Sequence, residues 1–397
     1  MKQLLYYNTD GEYLAEQTEA GGDGSKVVSV IGGVAWAHTD KKVYYRFSGR
    51  AEDITQYTLT VHYKDISGNT LFPDETSSYE VYVGTRKKVT LNAKEADGLV
   101  PTKMVHTIFL TGNTDYTIRY LNPSETELKK LPLTFVVTKG GTIMWTYNSD
   151  VGFVGNTYKK ELQYSINGGS WTTINASAKT AINVSAGDIV SFKGTNAGYF
   201  FTYVDVSGDY YYAYDTFAGT AEYDICGNMM SLISATSFQN LTTLSQDNTF
   251  KKLFYGNTGI CSAEYLLLPA ITLRTYCYAS MFARCSNLEK APKTLPSTSL
   301  TAKCYSDMFQ NCTSLTAAPY LPATTLYSGC YDAMFWQCSK LSYIKCLART
   351  FNGGNCTTSW VKGVSATGTF IKHSSMNNWT TGDHGIPSGW EVQNAYS

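Results

Sequence analysis

Apolar and polar residues alternate along short segments through most of the chain before residue 236. Residues 57–65, YTLTVHYKD, show this pattern, because every second side chain is apolar, as on a β-strand with one buried face. Similar segments recur at a spacing of about ten residues, which is typical of antiparallel sandwiches and jelly-roll barrels. The pattern predicts a small β domain over residues 44–128 and a β-sandwich-like or jelly-roll-like domain over residues 133–235.

Short polar sequences separate the predicted strands. Asn167-Gly168, between LQYSI and WTTI, predicts a type I′ hairpin turn, because both residues tolerate positive φ angles. Residues 39–42, TDKK, lie between two apolar runs and predict a hairpin within an N-terminal arm over residues 1–43. The linker NPSETELKKLP, residues 122–132, contains two prolines and a charge run and is expected to end the small β domain.

A different pattern follows, in which the phrase Cys-Tyr-x-x-Met-Phe-x-x-Cys-x-x-Leu occurs three times. Its first cysteines, Cys277, Cys304 and Cys330, are 27 and 26 residues apart. Internal periods of about 20–29 residues are typical of leucine-rich repeats. The phrase therefore predicts a short repeat array over residues 236–347, followed by a capping segment over residues 348–397.

Each copy of the phrase places its apolar side chains at i, i+4, i+5 and i+8, which predicts one buried face of a short helix. A proline-containing stretch then predicts an extended segment in the first two copies. One such unit cannot bury its apolar face alone, so successive copies are expected to stack. A degenerate copy upstream has Phe254 and Asn257 in the Phe and second Cys positions. We call the predicted buried set the repeat core: Cys277, Met281, Phe282, Cys285, Leu288, Cys304, Met308, Phe309, Cys312, Leu315, Cys330, Met334, Phe335, Cys338 and Leu341.

All ten cysteines lie after residue 225, and most of them belong to the repeat array. Cysteine is a small apolar residue that fits a narrow inner column, so we expect buried, reduced thiols. A disulfide between neighbouring copies is geometrically conceivable and stays an alternative. No Cys-x-x-Cys pair occurs, and no histidine lies between residues 107 and 372, so a zinc site is not expected.

Composition and charge narrow the classes of partner. The 397 residues include 32 basic and 32 acidic residues, so no net field favours nucleic acid or an anionic membrane. No apolar stretch approaches the roughly 18–20 residues that a membrane span needs. The N-terminus has only Leu4 to Tyr7 as an apolar run, too short for a secretory signal, which predicts synthesis and folding in a cytoplasm.

Candidate chemistry is sparse in the sequence. No nucleophile-elbow, zinc-protease or kinase pattern occurs, so we expect no enzyme activity, no catalytic residue, no metal site and no cofactor. The one acidic cluster could in principle hydrolyse a glycoside, but turn and strand-edge acids are the alternative that we favour. Its members are Asp205, Asp209, Asp215 and Asp224. His373 and His384 are interpreted as residues of a capping loop.

Two sets of side chains are candidates for recognition. An aromatic tract can form sheet core, a partner interface or a platform for sugars, and it comprises Tyr199, Phe200, Phe201, Tyr203, Tyr210, Tyr211, Tyr212 and Tyr214. In the repeat array, solvent positions vary between copies while their neighbours do not, which is typical of a recognition surface and also of unconstrained surface. The candidate recognition residues are Lys290, Lys293, Tyr320, Tyr343 and Lys345, with Glu289 and Thr316 beside them.

The repeats resemble a known family. CYSDMFQNCTSLTAAPYLPATTL, residues 304–326, is similar to BspA-like leucine-rich repeats, in the form found in gut Bacteroides and their phages, including crAss-like phages. The tail TGTFIKHSSMNNWTTGDHGIPSGWEV, residues 367–392, and the segment QYSINGGSW, residues 163–171, look like the regions that follow and precede such arrays. VVSVIGGVAWAHTDKKVYYR, residues 27–46, resembles a module near the start of phage-borne relatives.

The resemblance implies a mostly β, multidomain protein that ends in a short leucine-rich-repeat solenoid with a helix and a strand per coil. It implies a virion structural or decoration protein, head-fibre-like or tail-associated, at the virion surface. Such a protein would bind capsid or tail proteins through its N-terminal region and form a homo-oligomer, with a trimer favoured. The alternative is an adhesin at the bacterial cell surface that binds a glycan or a host protein. Neither role involves nucleic acid or insertion into a membrane.

Overall fold

The structure is a computed structural model that describes residues 3–7, 13–18, 27–31, 34–39, 42–49, 54–82, 86–149, 160–175, 181–204, 207 and 210–395. The chain divides into two compact units, residues 1–121 and residues 122–397, and each is described by itself. The fold is mostly β, with 44% of residues in strands and 4% in helices, and none of its several sheets closes on itself.

The first unit begins with a five-stranded antiparallel sheet in the order β2-β1-β5-β4-β3. Its strands are β1 (Gln3–Tyr7), β2 (Tyr13–Thr18), β3 (Val27–Ile31), β4 (Val34–Thr39) and β5 (Lys42–Gly49). The predicted hairpin is confirmed, because β4 and β5 pair antiparallel from Thr39 opposite Lys42. The boundary predicted at residue 43 lies inside β5, so this sheet extends beyond the predicted arm.

The remaining strands of the first unit enclose a small core. They are β6 (Ile54–Asp65), β7 (Thr70–Tyr82), β8 (Lys87–Asn92), β9 (Val100–Pro101), β10 (Val105–Leu110) and β11 (Thr114–Leu121), and they form sheets in the orders β7-β6-β11-β9 and β10-β8. The predicted alternation in β6 is confirmed, because Leu59, Val61 and Tyr63 are buried while the residues between them are partly exposed. His106 is buried against the Tyr116 hydroxyl, at 2.9 Å.

The second unit begins with α1 (Glu125–Lys130), whose N-terminus is capped by Ser124, and then forms two sheets. One sheet has the order β15-β14-β17-β12-β20-β21 and the other β16-β13-β19-β18. Rings from both sheets meet, since Phe217 of β19 lies 5.0 Å from Phe135 of β12 and 4.9 Å from Phe192 of β17. This arrangement is compatible with a β-sandwich. The strands are β12 (Leu133–Lys139), β13 (Gly141–Ser149), β14 (Glu161–Ile166), β15 (Thr172–Asn175), β16 (Ala181–Val184), β17 (Ile189–Lys193), β18 (Phe200–Val204), β19 (Tyr210–Gly219), β20 (Glu222–Asn228) and β21 (Ile260–Leu267).

The turn between β14 and β15 has the predicted geometry. Asn167 and Gly168 have φ angles of 54° and 77°, and the Gly169 N–H donates to the Ile166 carbonyl at 2.9 Å. Two consecutive positive φ angles define a type I′ turn, whose twist matches that of the flanking strands. The Asn-Gly prediction is confirmed.

The repeat copies continue the first of these sheets as a parallel ladder. β20 pairs parallel with β21, and single bridges then join Ser262 to Lys290, Lys290 to Ala317, and Ala317 to Tyr343. The ladder ends in the parallel strands β23, β25 and β26. The later strands are β22 (Thr325–Tyr327), β23 (Tyr343–Cys346), β24 (Thr350–Asn352), β25 (Thr369–His373) and β26 (Glu391–Ala395). Met229–Leu232 and Phe238–Asn240, between β20 and β21, are 3-10 helices.

The helix predicted for each repeat copy is wrong, because the described copies contain strings of tight turns instead. Alternate N–H groups have different partners in these strings. The Met281 N–H donates to the Tyr278 carbonyl at 3.2 Å, whereas the Phe282 N–H donates to the Met308 carbonyl of the next copy at 2.9 Å. A helix would use every interior N–H within its own segment and would leave none for the neighbouring copy. The turns therefore link successive copies through the backbone.

The turn strings require backbone conformations that are unusual for residues other than glycine. Every fourth residue has a positive φ, and these residues align in three rows across the copies. Left-handed backbone costs about 1–2 kcal/mol for a residue with a Cβ atom, so the bonds between copies must offset considerable strain. The rows are Asn248, Tyr276, Lys303, Gly329 and Asn355; Lys252, Ser280, Asp307, Ala333 and Ser359; and Gly256, Arg284, Asn311, Gln337 and Gly363.

This strain can be measured with one substitution and a matched control. Ala333 has a φ of 47°, so Ala333→Gly should raise the free energy of unfolding by about 0.5–1 kcal/mol. Ala302 is an exposed turn residue outside the three rows, and Ala302→Gly should lower the free energy of unfolding by a similar amount. Urea unfolding midpoints at an unchanged slope would report both effects. If Ala333→Gly and Ala302→Gly destabilised the protein equally, the assignment of strain to the three rows would be wrong.

Candidate functional site

The structure buries all residues of the repeat core, and each has 0% of its surface exposed. Their phenylalanines stack from copy to copy. The rings of Phe254, Phe282, Phe309 and Phe335 are 5.3, 5.4 and 5.7 Å apart in sequence order, with interplanar angles of 14°, 4° and 9°. Phe217 of the preceding sheets extends this column, because its ring stacks on Phe254 at 5.5 Å.

A second aromatic column runs beside the first. Its ring-to-ring distances are between 5.6 and 6.2 Å, and it contains Phe250, Tyr278, Tyr305, Tyr331 and Trp360. Tyr199 stacks on Phe250 at 6.2 Å, so this column also begins in the preceding sheets. The two columns make the repeat interior continuous with the core of the sandwich-like region.

The second cysteine of each copy has a specific partner. The thiols of Cys285, Cys312 and Cys338 donate to the main-chain carbonyl of the stacking phenylalanine in the preceding copy, at 3.1, 3.0 and 3.0 Å. In the degenerate copy the Asn257 amide does the same, donating to the Phe217 carbonyl at 2.9 Å. Cysteine therefore recurs as a small buried residue that also supplies a hydrogen-bond donor.

The ten cysteines are all free thiols in the structure. Burial raises the pKa of Cys304, Cys338 and Cys346 to about 12, so these thiols stay protonated at neutral pH. A protonated, buried thiol is a poor nucleophile and a poor metal ligand. No group of three or more His, Cys, Asp or Glu side chains that could hold a metal ion occurs among the described residues.

The candidate recognition residues lie on the outward face of the parallel ladder, which we call the ladder face. Lys290 and Lys293 are exposed and share one carboxylate, because their ammonium groups lie 2.8 and 3.8 Å from the two oxygens of Glu264. The Lys293 ammonium also lies 4.6 Å from the centre of the Tyr265 ring. Both lysines therefore share one counter-ion within the chain.

Of the remaining candidate recognition residues, Tyr320 and Tyr343 are aromatic, and Lys345 lies over an aromatic ring. The Lys345 ammonium lies 5.0 Å from the centre of the Tyr320 ring, and Tyr343 is 39% exposed. Glu289 and Thr316 are exposed beside them. Adjacent copies thus place the predicted residues on a common ladder, where Lys290 bridges to Ala317 and Ala317 to Tyr343.

The acidic cluster is not assembled by the described residues. Asp215 lies on β19 and Asp224 on β20, which belong to different sheets, and Asp205 and Asp209 lie outside the described residues. Burial raises the pKa of Asp215 to about 8 and that of Asp224 to about 6. Asp215 is fully buried, with one carboxylate oxygen that has no hydrogen-bond partner among the described residues.

The two tail histidines interact locally with the backbone. His384 Nδ1 accepts a hydrogen bond from the Ser359 N–H at 2.8 Å, and the Asp383 carbonyl accepts one from Val361. Ser359 and Val361 lie in the last turn string, so residues 383–384 cap its outward-pointing N–H groups. His373 Nδ1 accepts from the Ser375 N–H at 3.1 Å within the tail. The contact of His384 agrees with the capping-loop interpretation, whereas His373 is the buried last residue of β25 and does not lie in a loop.

The aromatic tract divides between core and surface. Tyr199 and Phe200 are buried, whereas Tyr212 is 38% exposed. The side chains of Tyr203 and Tyr210 lie outside the described residues. The tract therefore contributes both to the sheet core and to an exterior surface.

Sequence reasoning missed a second surface, which lies on the outer side of the turn strings and which we call the turn face. It gathers Lys251, Lys252, Arg284 and Lys303 over the rings of Phe200, Tyr212, Tyr214, Tyr255 and Tyr276. The cations come from the repeats, while three of the rings come from the aromatic tract. The signal available in the sequence was that each of three successive copies has at least one basic residue in its turn string.

Comparisons of the chain with protein-family models, with curated proteins and with solved structures give no match. Function is therefore argued from the chain itself. Among the described residues, no helix has the length and apolar character that a bilayer crossing requires.

The thiol-to-carbonyl bond can be tested at Cys312. Cys312→Ser keeps a donor, so we expect it to retain about 0.5–1 kcal/mol more stability than Cys312→Ala. Cys226 is equally buried, and its thiol has no hydrogen bond with a described residue, so serine should be no better than alanine there. Urea denaturation of the four variants gives the comparison. If Cys312 acted only as a small apolar spacer, the alanine variant would be more stable than the serine variant at both sites, and the prediction would be wrong.

The buried Asp215 predicts a pH dependence of stability. Its pKa is raised from 3.8 to about 8, so its favourable contribution is present below pH 4 and is lost as the pH rises through about 8. Asp215→Asn removes this titration and should raise the free energy of unfolding by about 2–4 kcal/mol at pH 7 and by little near pH 4. Urea midpoints measured across pH 4–8 test this, with the exposed Asp383→Asn as the control. Parallel profiles for wild type and Asp215→Asn would refute it.

Proposed function

We propose that residues 236–347 form a leucine-rich-repeat-type solenoid, with a strand position and a string of turns in each coil and with residues 348–397 as its cap. The parallel bridges between equivalent residues support this proposal, as do the two aromatic columns. Bridges between coils and repeated inward stacking are the contacts through which repeat proteins gain stability from their neighbours.

The chain is, in this proposal, a non-enzymatic structural or decoration protein of a Bacteroides phage virion, head-fibre-like or tail-associated. It docks on capsid or tail proteins through its N-terminal region and displays the ladder face at the virion surface for adhesion or recognition. The resemblance of residues 27–46 and 304–326 to phage-borne and BspA-like sequences motivates the assignment. The alternative, a bacterial cell-surface adhesin, uses the same displayed face.

The display role is supported mainly by the contrast between the inward and the outward side chains of the ladder. At the inward position, Ala263, Ala291 and Ile344 are buried and apolar. At the outward position one residue earlier, the copies have Ser262, Lys290, Ala317, Tyr343 and Thr369. A constant frame that carries variable outward side chains supports recognition of a partner rather than chemistry on a substrate.

Docking would use the five-stranded sheet of residues 3–49. The chain has no net charge and is rich in tyrosine, which suits self-association, and a homotrimer is the expected assembly on a particle. The docking segment is enlarged relative to the sequence-based boundary at residue 43, because cutting there would divide β5.

The docking role is tested by deleting residues 1–53, which removes the whole five-stranded sheet and leaves β6 intact. We expect the amount of chain on purified particles to fall at least about tenfold, as measured by quantitative immunoblotting. A Lys290→Ser/Tyr343→Ser variant is the control: it should be incorporated normally and should reduce attachment of particles to host cells. Undiminished incorporation of the deletion variant would contradict the docking role. Export of the full chain to the bacterial surface would support the adhesin alternative instead.

A further inference from the structure

The turn face holds a lysine among aromatic rings. The Lys251 ammonium lies 4.1 Å from the centre of the Phe200 ring, 4.8 Å from that of Tyr276 and 5.6 Å from that of Tyr212. Phe200 itself is buried, whereas Tyr212 is 38% exposed. Lys251 is therefore fixed by ring faces at the boundary between core and solvent, and its position is more restricted than that of an ordinary surface lysine.

Further cations extend this arrangement over successive copies. The Lys303 ammonium lies 5.5 Å from the centre of the Tyr276 ring, so two ammonium groups share one ring. The Arg284 guanidinium lies 5.6 Å from the centre of the Tyr255 ring, which the Lys252 ammonium also approaches, at 5.2 Å. Three neighbouring copies thus contribute to one patch of positive charge.

In the part of the chain that the structure describes, three cations of this patch have no carboxylate in contact, unlike the lysines of the ladder face. Among the described residues, Lys251, Lys303 and Arg284 form no ion pair within 4.0 Å, whereas Lys290 and Lys293 share Glu264. Asp307 interacts electrostatically with Lys251 and Lys303, and Asp332 with Lys303, but neither carboxylate makes an ion pair with these lysines.

The pKa of Lys251 also reflects the excess of positive charge around it. Its pKa is lowered to about 8, first by burial and then by the neighbouring Lys252, while Asp307 only partly opposes this effect. Like charges held close together repel each other, and an anion placed between them would stabilise the protonated amines. The turn face therefore favours a ligand that brings negative charge.

We propose that the turn face binds an acidic polysaccharide, whose carboxylate groups pair with Lys251, Lys303 and Arg284 and whose sugar rings lie against Tyr212. A linear polymer with one negative charge on each sugar can place several carboxylates on a patch of cations that spans three successive copies. The Lys251 ammonium lies 5.6 Å from the centre of the Tyr212 ring, but the residue is 38% exposed, and its open part offers one apolar platform for the C–H face of a sugar.

Single-stranded nucleic acid fits this surface less well. Binding of that kind depends on successive bases that stack on open aromatic faces. On the turn face the rings of Phe200, Tyr255 and Tyr276 are already covered by cations, and Phe200 is buried. This inference concerns a different face from the proposed display surface and holds independently of a virion role.

The test measures binding of the full-length protein to alginate, a polymer of uronic acids, with neutral dextran and oligo(dT) as comparison probes. Affinity electrophoresis gives the dissociation constants at low ionic strength. We expect alginate to bind, dextran not to bind, and Lys251→Gln/Lys303→Gln to weaken alginate binding at least tenfold. Lys290→Gln/Lys293→Gln removes the same charge from the ladder face and should change the affinity less than twofold.

Since Lys251 is partly buried, Lys303→Gln/Arg284→Gln is a second variant that leaves Lys251 in place, and it should also weaken binding at least tenfold. Thermal melting of each variant establishes that it is folded. Equal losses in the turn-face and ladder-face variants would mean that binding follows net charge and would overturn the proposal. So would an absence of alginate binding by the wild type, equal binding of dextran, or stronger binding of oligo(dT).

Discussion

The hydrogen bonds that the turn strings donate sideways, from each repeat copy to the next, are the constraint on which the second unit depends. In the copy that begins at Cys277, the N–H groups of Tyr278, Ser280 and Phe282 all donate to carbonyls of the following copy, and the N–H groups of the residues between them donate within their own turns. This division of donors excludes a helix and forces every fourth residue into left-handed backbone. One copy alone would have the strain of that backbone without the bonds that offset it, so copies can be stable only together.

The sandwich-like region provides the first partner for this stack. Its rings Phe217 and Tyr199 start the two aromatic columns, and its strand β20 starts the parallel ladder. The degenerate copy is adapted to that junction, since Asn257 reaches both the Phe217 carbonyl and the Tyr223 hydroxyl, at 2.9 and 2.7 Å. A cysteine has only one donor and could not make both contacts. The irregularity of the first copy thus has a physical reason, because it joins a different partner.

Much of this architecture could be predicted from the sequence, because its signals are local or periodic. Asn167-Gly168 specifies its own turn, and the spacing of the repeat core identifies the buried residues without knowledge of the backbone. The helix was predicted wrongly because an i, i+4, i+8 spacing is shared by a helix and by a string of four-residue turns. The basic residues of the turn face are visible in the sequence, but their aromatic partners are not, since Phe200 and Lys251 meet only after both the sheets and the repeats have formed.

The sideways hydrogen bonds also all point in the same direction. The peptide unit that joins Cys304 to Tyr305 accepts from the preceding copy through its carbonyl and donates to the following copy through its N–H. Such units align head to tail, so their dipoles add along the stack as they do along an α-helix axis, with the positive end at the last copy. The tail places acceptors at that end, where His384 Nδ1 and the Asp383 carbonyl receive the final N–H groups. The repeat stack therefore has an electrical polarity of its own in a chain with no net charge.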